Sequence, residues 1–464
     1  MNTNNTPNER SSMAHNKPHN SVTRTFRLVS SIIALGAAST VSAQDLGHKA
    51  PAQSTPIAIT NATIHTMAGP TIENGYIQFE DGKIVDIGEG ERVFTAVHRV
   101  IDAEGRHIYP GLISPASQLG LIEINSVRQT DDRNEVGNTT PEVLACVAVN
   151  PDSTLIPVTR ANGILTFTSF PTRGAIPGRI SIMSADGWTW KDMAIEEDAG
   201  LAINWPSMRP SNNWWADEPD AKQLERIAER LSEIDEIFQQ AISYRDSGQS
   251  PRDVRLEAML GVLPGAEGED PANPVFISAN DVDQINAAVT WAVDLGLRPV
   301  IVGGNDAPLC AELLRMHDIP VIISGTQRFP KRNDSPHDAA YTLPIELTEL
   351  GIRWCMGTND DTAHERNLPY NAAKAVAFGL DHEQGIKGLT INTAEILEID
   401  DRLGSLEPGK HATFIVTNGS PLEMTTNPVM AFIEGKEISL ESKQSDLAEK
   451  YREKYRQLGI TRDN

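Results

Sequence analysis

Cysteine is nearly absent from this chain. Three in 464 residues are too few for a disulfide scaffold, and Cys146, Cys310 and Cys355 show no metal-knuckle spacing. Basic residues are scarce as well: 40 Lys and Arg stand against 63 Asp and Glu, a formal charge of -23. A phosphate-backbone binder needs a basic face, so a nucleic-acid partner is excluded. An anionic membrane surface is equally disfavoured. Glycine (34) and proline (29) are at ordinary levels, which removes the collagen-like and wholly disordered classes. No apolar run reaches the roughly 20 residues of a spanning helix, and there is no internal repeat. Acidity makes the chain soluble and self-repelling, and is silent on what it does.

The length is too great for one small domain and suits either several domains or one large barrel with an appendage. Residues 1–20 are polar and rich in Asn, Ser and Pro, the composition of a disordered segment. Arg24 and Arg27 then precede the short apolar run Leu28 to Ala38, and Val41-Ser42-Ala43 follows with small residues at the cleavage-determining positions. Residues 1–43 read as a secretory signal peptide, cut before Gln44. No Cys follows the cut to carry a lipid, and no Arg pair precedes the apolar run, so the general secretory route is expected. The mature protein is then periplasmic or secreted, with no membrane attachment after cleavage. An oxidising compartment with an odd cysteine count leaves at least one thiol free. All three lie in apolar sequence and are expected to be buried and unpaired.

From Ile57 to Val100 the pattern is short strands and turns, among them Gly75–Phe79, a Glu80-Asp81-Gly82-Lys83 hairpin turn and Ile84–Gly88. A second strand cluster follows Gly404: Ala412–Val416, then Val429–Ile433 before a Glu434-Gly435 turn. Each cluster needs cover, and pairing with the other supplies it, which predicts one small β-sandwich built from both ends of the chain. Between them the sequence alternates in the βαβ manner. Val275–Ser278, Pro299–Gly303, Pro320–Ser324 and Ile352–Met356 are apolar strands separated by helical patterns, and Gly163–Thr168 is a further strand upstream. Short loops between such units indicate a parallel sheet, closed as a barrel or doubly wound. Leu224, Ile227, Leu231, Ile234 and Phe238 mark a long amphipathic helix with a charged, solvated outer face. Leu447, Tyr451, Tyr455 and Leu458 have helical spacing and are expected to dock one face on the body.

This ordering resembles the amidohydrolase superfamily of metal-dependent hydrolases, in particular its secreted, imidazolonepropionase-like members. Ile101-Asp102-Ala103-Glu104-Gly105-Arg106 and Tyr109-Pro110-Gly111-Leu112-Ile113 are similar to the family's entry into the first barrel strand. Asn371–Ala377 and Leu389–Leu397 are similar to its last helices, and Asp401–Ala412 to its return into the sandwich. The resemblance spans roughly residues 56 to 440. It implies an α/β chain with a (β/α)8 TIM-like barrel over 110–402. A composite sandwich over 56–109 and 403–440 and a C-terminal helix over 441–464 complete it.

In the active members that this chain resembles, histidines from strands one, five and six and an Asp from strand eight hold one or two divalent ions, zinc above all. The metal lowers the pKa of a bound water, and the Asp shuttles its proton to the leaving nitrogen. At the matching positions this chain has Ser114, Ala116, Gln118, Ser278, Gly303 and Asn359, with Asp360 directly following. Alanine and glycine offer no ligand, and neutral hydroxyl or amide oxygens are poor substitutes for imidazole at zinc. No metal ligands are assigned and no cofactor is expected.

Other polar residues crowd the loops where a barrel carries its function. Asp360 with His364 is the candidate general base and its orienting partner, against the blander reading of a helix cap facing water. Gln118, Arg128, Arg160, Arg173, Asn280, Asn305, Arg328, Asn359, Arg366 and Asn367 are the candidate ligand-binding residues, and the arginines can hold a carboxylate by paired hydrogen bonds. Glu123, Asp131, Asp132, Glu135, Arg179, Asp306, Asp361 and His337 stand nearby. Two functions follow. One is a hydrolase of non-peptide carbon–nitrogen bonds in small amides or cyclic ureides, with an altered site. The other is a catalytically silent relative that binds a small ligand or partner at the barrel mouth. The resemblance also admits a homodimer.

Overall fold

The computed structural model describes residues 45, 47–90, 92–94, 97–211, 218–265, 268–332, 335–358 and 362–460. The chain divides into residues 1–43 and 44–464, and the described residues all belong to the second unit. The leader read from the sequence, Asn359, Asp360 and Asp361 lie outside the described residues.

Five strands open the folded unit: β1 (Ile57–Ile64), β2 (Ile72–Glu80), β3 (Lys83–Glu89), β4 (Arg99–Asp102) and β5 (His107–Pro110). Asp81 and Gly82 take φ of 49° and 78°, the paired left-handed conformation of a tight hairpin that Asp-Gly supplies at little cost. Eight strands then stand side by side in chain order. They are β6 (Leu112–Ser114), β7 (Ile164–Ser169), β8 (Gly178–Ser184), β9 (Ala194–Asn204), β10 (Val275–Ala279), β11 (Pro299–Gly303), β12 (Val321–Ile323) and β13 (Trp354–Met356). The helices are α1 (Leu155–Arg160), α2 (Asp220–Asp246), α3 (Val282–Asp294), α4 (Ala311–Met316) and α5 (Ala339–Glu349). After β13 come α6 (Leu368–Ala377), α7 (His382–Lys387) and α8 (Ile391–Ile396). This is the expected α/β barrel with an appended sheet.

One strand departs from the all-parallel pattern. β8 is antiparallel to both β7 and β9, while the other pairs are parallel. Residues 170–177 and 185–193 are too few for the crossover of a dozen or more residues that a parallel pair requires, so the chain turns straight back. The sheet is nearly closed. Across the seam, the Ile113 amide donates to the Leu389 carbonyl and the Met356 amide to the Gly388 carbonyl, both at 2.9 Å. A Cβ on Gly388 would lie 2.5 Å from the Trp354 ring, so the turn between α7 and α8 enters the seam only as glycine.

Successive strand residues point to opposite faces. Ile113, Ile180, Ile182, Ala202, Phe276, Val300, Ile322 and Cys355 pack together inside the barrel, with Ala394 to Leu403 beneath them. Leu112, Phe167, Leu201, Ile277, Ile301 and Ile323 pack outward against the helices. Asp281 begins α3 with a reciprocal cap to Gln284, and Ile285, Ala288, Val289 and Ala292 form its buried face.

After the barrel, β14 (Phe414–Thr417), β15 (Pro428–Ile433) and β16 (Lys436–Glu437) join the opening strands through the antiparallel pair β14–β5. The sheet from both chain ends is continuous, in the order β16-β15-β14-β5-β1-β2-β3 with β4 on β1, and it curls onto a Phe79, Phe414 and Phe432 cluster with ring centroids 4.9–5.3 Å apart. The final helix, α9 (Lys443–Gln457), corrects one expectation: it has no buried residue, and Tyr451 and Tyr455 stay about half exposed. It touches the body only lightly, at α1, and its support is mainly local, from the Ser442 cap and the Arg452–Glu449 and Arg456–Glu453 pairs at 3.2 and 2.7 Å. Cys146, Cys310 and Cys355 are buried free thiols. Among the described residues no helix is long and apolar enough to cross a membrane.

Candidate functional site

The C-terminal strand ends form the face on which barrels carry function. Strand alternation decides which side chains look into it. Phe276 and Val300 belong to the interior cluster, so Ser278 and Val302, two residues on and paired in register, face inward too. By the same rule Thr168 on β7 and Asn204 on β9 project inward. This layer is small and neutral. Thr168 Oγ1 accepts from the Ser117 amide at 3.3 Å, and Asn204 Nδ2 donates to the Thr172 and Gly174 carbonyls at 2.8 and 2.9 Å.

The rim is charged. Arg133 is its hub: Nε and Nη2 donate to the two carboxylate oxygens of Asp131 at 2.8 and 2.9 Å, and Nη1 donates to Gln118 Oε1 at 3.2 Å. Arg173 adds a second cation 3.4 Å from Asp131. These hydrogen bonds from Arg133 hold the Asp131 carboxyl at a pKa of about 2. Across the face, buried Asp306 receives both Nη atoms of Arg332, at 2.8 and 3.1 Å, and the Val282 amide at 3.2 Å. Arg328 lies near it, and burial lowers its pKa. Arg328 Nε and Asn305 Oδ1 are buried without partners among the described residues.

The sequence candidates distribute unevenly over this geometry. Gln118, Arg173, Asn280, Asn305 and Arg328 follow strand ends at the rim. Arg160 does not: it precedes β7, on the opposite side of the barrel, in a buried 2.9 Å ion pair with Asp186. Arg128 is exposed and donates to its neighbour's carbonyl at Asp131. Arg179 pairs with Asp198 at 2.7 Å. His364 is exposed, on a 3-10 turn over Thr362–Asn367, and its proposed partner Asp360 is outside the described residues. Arg366 bonds the Ala363 carbonyl, a local contact, and Asn367 stands just before α6 without a side-chain capping bond. His337 is exposed. Glu123 accepts from Asn150, and burial raises its pKa.

Two residues that sequence reasoning passed over do more. Arg133 organises the rim. Glu365, fully buried, accepts from Ser114 Oγ and, at 3.3 Å, from Thr358 Oγ1. Ser114 shares its level with outward-facing Phe167, so this clasp crosses the β6–β13 seam behind the barrel wall. A Glu between exposed His364 and half-buried Arg366 carries no periodic signal that marks it as buried.

A divalent metal does not fit the described residues at the matching positions. Ser114 turns away to Glu365, and Ala116 has no donor atom. Gln118 Oε1 already faces the Arg133 cation. Gly303 lies on the outer face, where an added Cβ would come 2.4 Å from Asn280 Oδ1, and the inward residue beside it is apolar Val302. Among the described residues no cluster of three or more His, Cys, Asp or Glu is arranged to hold an ion.

Residues 275–439 match the amidohydrolase family profile. The chain is 22% identical over 376 residues to amidohydrolase tasK of Hapsidospora irregularis, covering 72% of this chain and 37% of that protein. It is 32% identical over 80 residues to an adenine deaminase of Desulforamulus reducens, covering 17% of this chain and 13% of that protein. The chain thus spans little more than a third of one curated relative and about an eighth of the other. A solved amidohydrolase structure from Thermotoga maritima superposes with a TM-score of 0.71 at 22% identity, over 82% of this chain and 99% of that one, a likeness of fold.

Proposed function

Taking as premise that the chain belongs to the amidohydrolase superfamily, we propose that it keeps the barrel and binds a small molecule at the mouth without a catalytic metal. The observation that carries this reading is the inward layer of Thr168, Asn204, Ser278 and Val302. Neutral hydroxyls, an amide and an isopropyl group hold zinc weakly or not at all. They suit hydrogen bonding to a neutral or anionic ligand within a rim that already carries Arg133, Arg173 and Arg328.

The second reading is hydrolysis of non-peptide carbon–nitrogen bonds in small amides or cyclic ureides. It is favoured by the family match over residues 275–439, which include β10 to β13. The two readings part on one measurement. Metal analysis of the purified chain, before and after dialysis against zinc, is expected to find sub-stoichiometric metal and an unchanged melting temperature. Near-stoichiometric zinc with hydrolysis of an amide or ureide panel would overturn the metal-free reading. The same preparation tests export. Residue 45 already belongs to the folded unit, its amide bonded to the Asp152 carbonyl at 2.6 Å, in keeping with a leader that ends near Ala43. Intact mass of the exported protein is expected to begin at Gln44.

A further inference from the structure

Beside the mouth, the loop after β9 and the first half of α2 enclose a cavity of about 370 Å³. Trp205, Ile227 and Gly174 supply apolar wall, and Arg209, Arg226 and Arg230 supply charge. Among the described residues no carboxylate lines it, although the chain carries a charge of -23. Two of the three guanidiniums have counter-ions outside the cavity, Arg209 with Asp283 and Arg226 with Glu218 at 2.6 Å. Arg230 differs. It is half-buried, and its recorded partner is the neutral Asn138 Oδ1 at 2.6 Å. No carboxylate lies within ion-pair distance of it among the described residues. Asn138 is itself held through Nδ2 by Glu233, so the guanidinium is fixed in place and reaches that carboxylate only through the Asn138 amide. The lower half of α2 packs Ile234, Phe238 and Ala241 into the core, whereas Ile227, two turns earlier, is left partly exposed at the cavity.

We infer that this cavity is a binding site for a small monocarboxylate with an apolar or aromatic body, its carboxylate received by Arg230. A planar guanidinium receives a carboxylate through two parallel hydrogen bonds, and a partly desolvated cation gains more from that pairing than an exposed one. One guanidinium that no described carboxylate touches directly suits a single negative charge, which favours a carboxylate over a phosphate dianion. The volume suits a ligand of amino-acid to dipeptide size. The site adjoins the mouth, with which it shares Asn204, and its assignment to Arg230 does not require that the mouth be catalytic.

Calorimetric titration of the purified chain tests the inference, with phenylacetate and N-acetylphenylalanine as probes and phenylacetamide and inorganic phosphate as comparisons. The expected result is saturable binding of one carboxylate per chain and none of the amide. Arg230→Gln is expected to weaken binding about ten-fold or more, the size of a lost charge-assisted pair. Arg230→Lys, which keeps the charge and loses the fork, should fall between. Ile227→Trp, which fills the cavity, should abolish binding, and Arg315→Gln on exposed α4 should leave it intact. Equal binding of acid and amide, preference for phosphate, absence of carboxylate binding, or an unaltered affinity in a folded Arg230→Gln protein would each overturn the assignment.

Discussion

Glu365 illustrates how a single buried carboxylate acts in this molecule. It receives hydroxyl hydrogen bonds from Ser114 on β6 and from Thr358, two residues beyond β13, the two strands that the backbone leaves unpaired at the seam. Glu365→Ala leaves those hydroxyls without their acceptor and opens a void. The expected loss is about 1–3 kcal/mol in urea unfolding. Glu365→Gln keeps an acceptor and the volume and should cost less than half as much. Equal losses for the two would show that charge, rather than hydrogen bonding, ties the seam. Gly303 makes the complementary point, since its φ of 110° and the nearby Asn280 Oδ1 leave no room for an imidazole there. The types of Ser278, Gly303 and Ala116, which exclude or weaken coordination, were legible in the sequence. Their directions were not, because a strand's facing depends on which register its neighbours impose.

At the level of elements, the two ends of the chain differ sharply in what they contribute. α9 buries none of its residues, while β14 and β15 place Phe414 and Phe432 against Phe79 and pair with β5. Truncation after Glu441 is therefore expected to leave the melting temperature nearly unchanged. Truncation after Leu403 removes β14 and β15 and should give insoluble or unfolded protein. A large fall in melting temperature after loss of α9 alone would contradict its lack of buried contact. The strands β10 to β13 were readable as apolar runs bounded by Pro and Gly. β8 and β9 were not, since Glu196, Glu197 and Asp198 interrupt the latter and mask its apolar second half. The helical spacing of Leu447, Tyr451 and Tyr455 correctly signalled α9, yet periodicity alone supplies no surface for a helix to cover.

For the molecule as a whole, acid is the revealing perturbation. His65 stacks on Tyr109 at 4.2 Å and shares a 3.0 Å hydrogen bond with His107. Burial lowers its pKa to about 4 from the ordinary 6.5. Between those values the unfolded chain binds the proton and the folded one does not, so stability rises with pH and is lost as pH falls from 6.5 toward 4. Asp131 adds a second loss lower down, from its ordinary 3.8 toward about 2, where its bonds to Arg133 are broken by protonation. Urea midpoints measured across pH 7 to 4 are expected to decline, and His65→Phe should flatten that decline while keeping the stacking. An unchanged slope in the variant would remove His65 as its cause. What composition and pattern alone determined here is broad: an acidic chain without a disulfide frame, and an alternating barrel between two strand clusters. Local chemistry suffices for those statements, because residue type and spacing act over a few neighbours. Only the tertiary structure decided that Arg160 lies on the far side, that Glu365 clasps the seam, and that Arg230 stands at a cavity with the Asn138 amide as its direct partner. Each of these depends on contacts between segments distant in the chain, and no local preference encodes which segments meet.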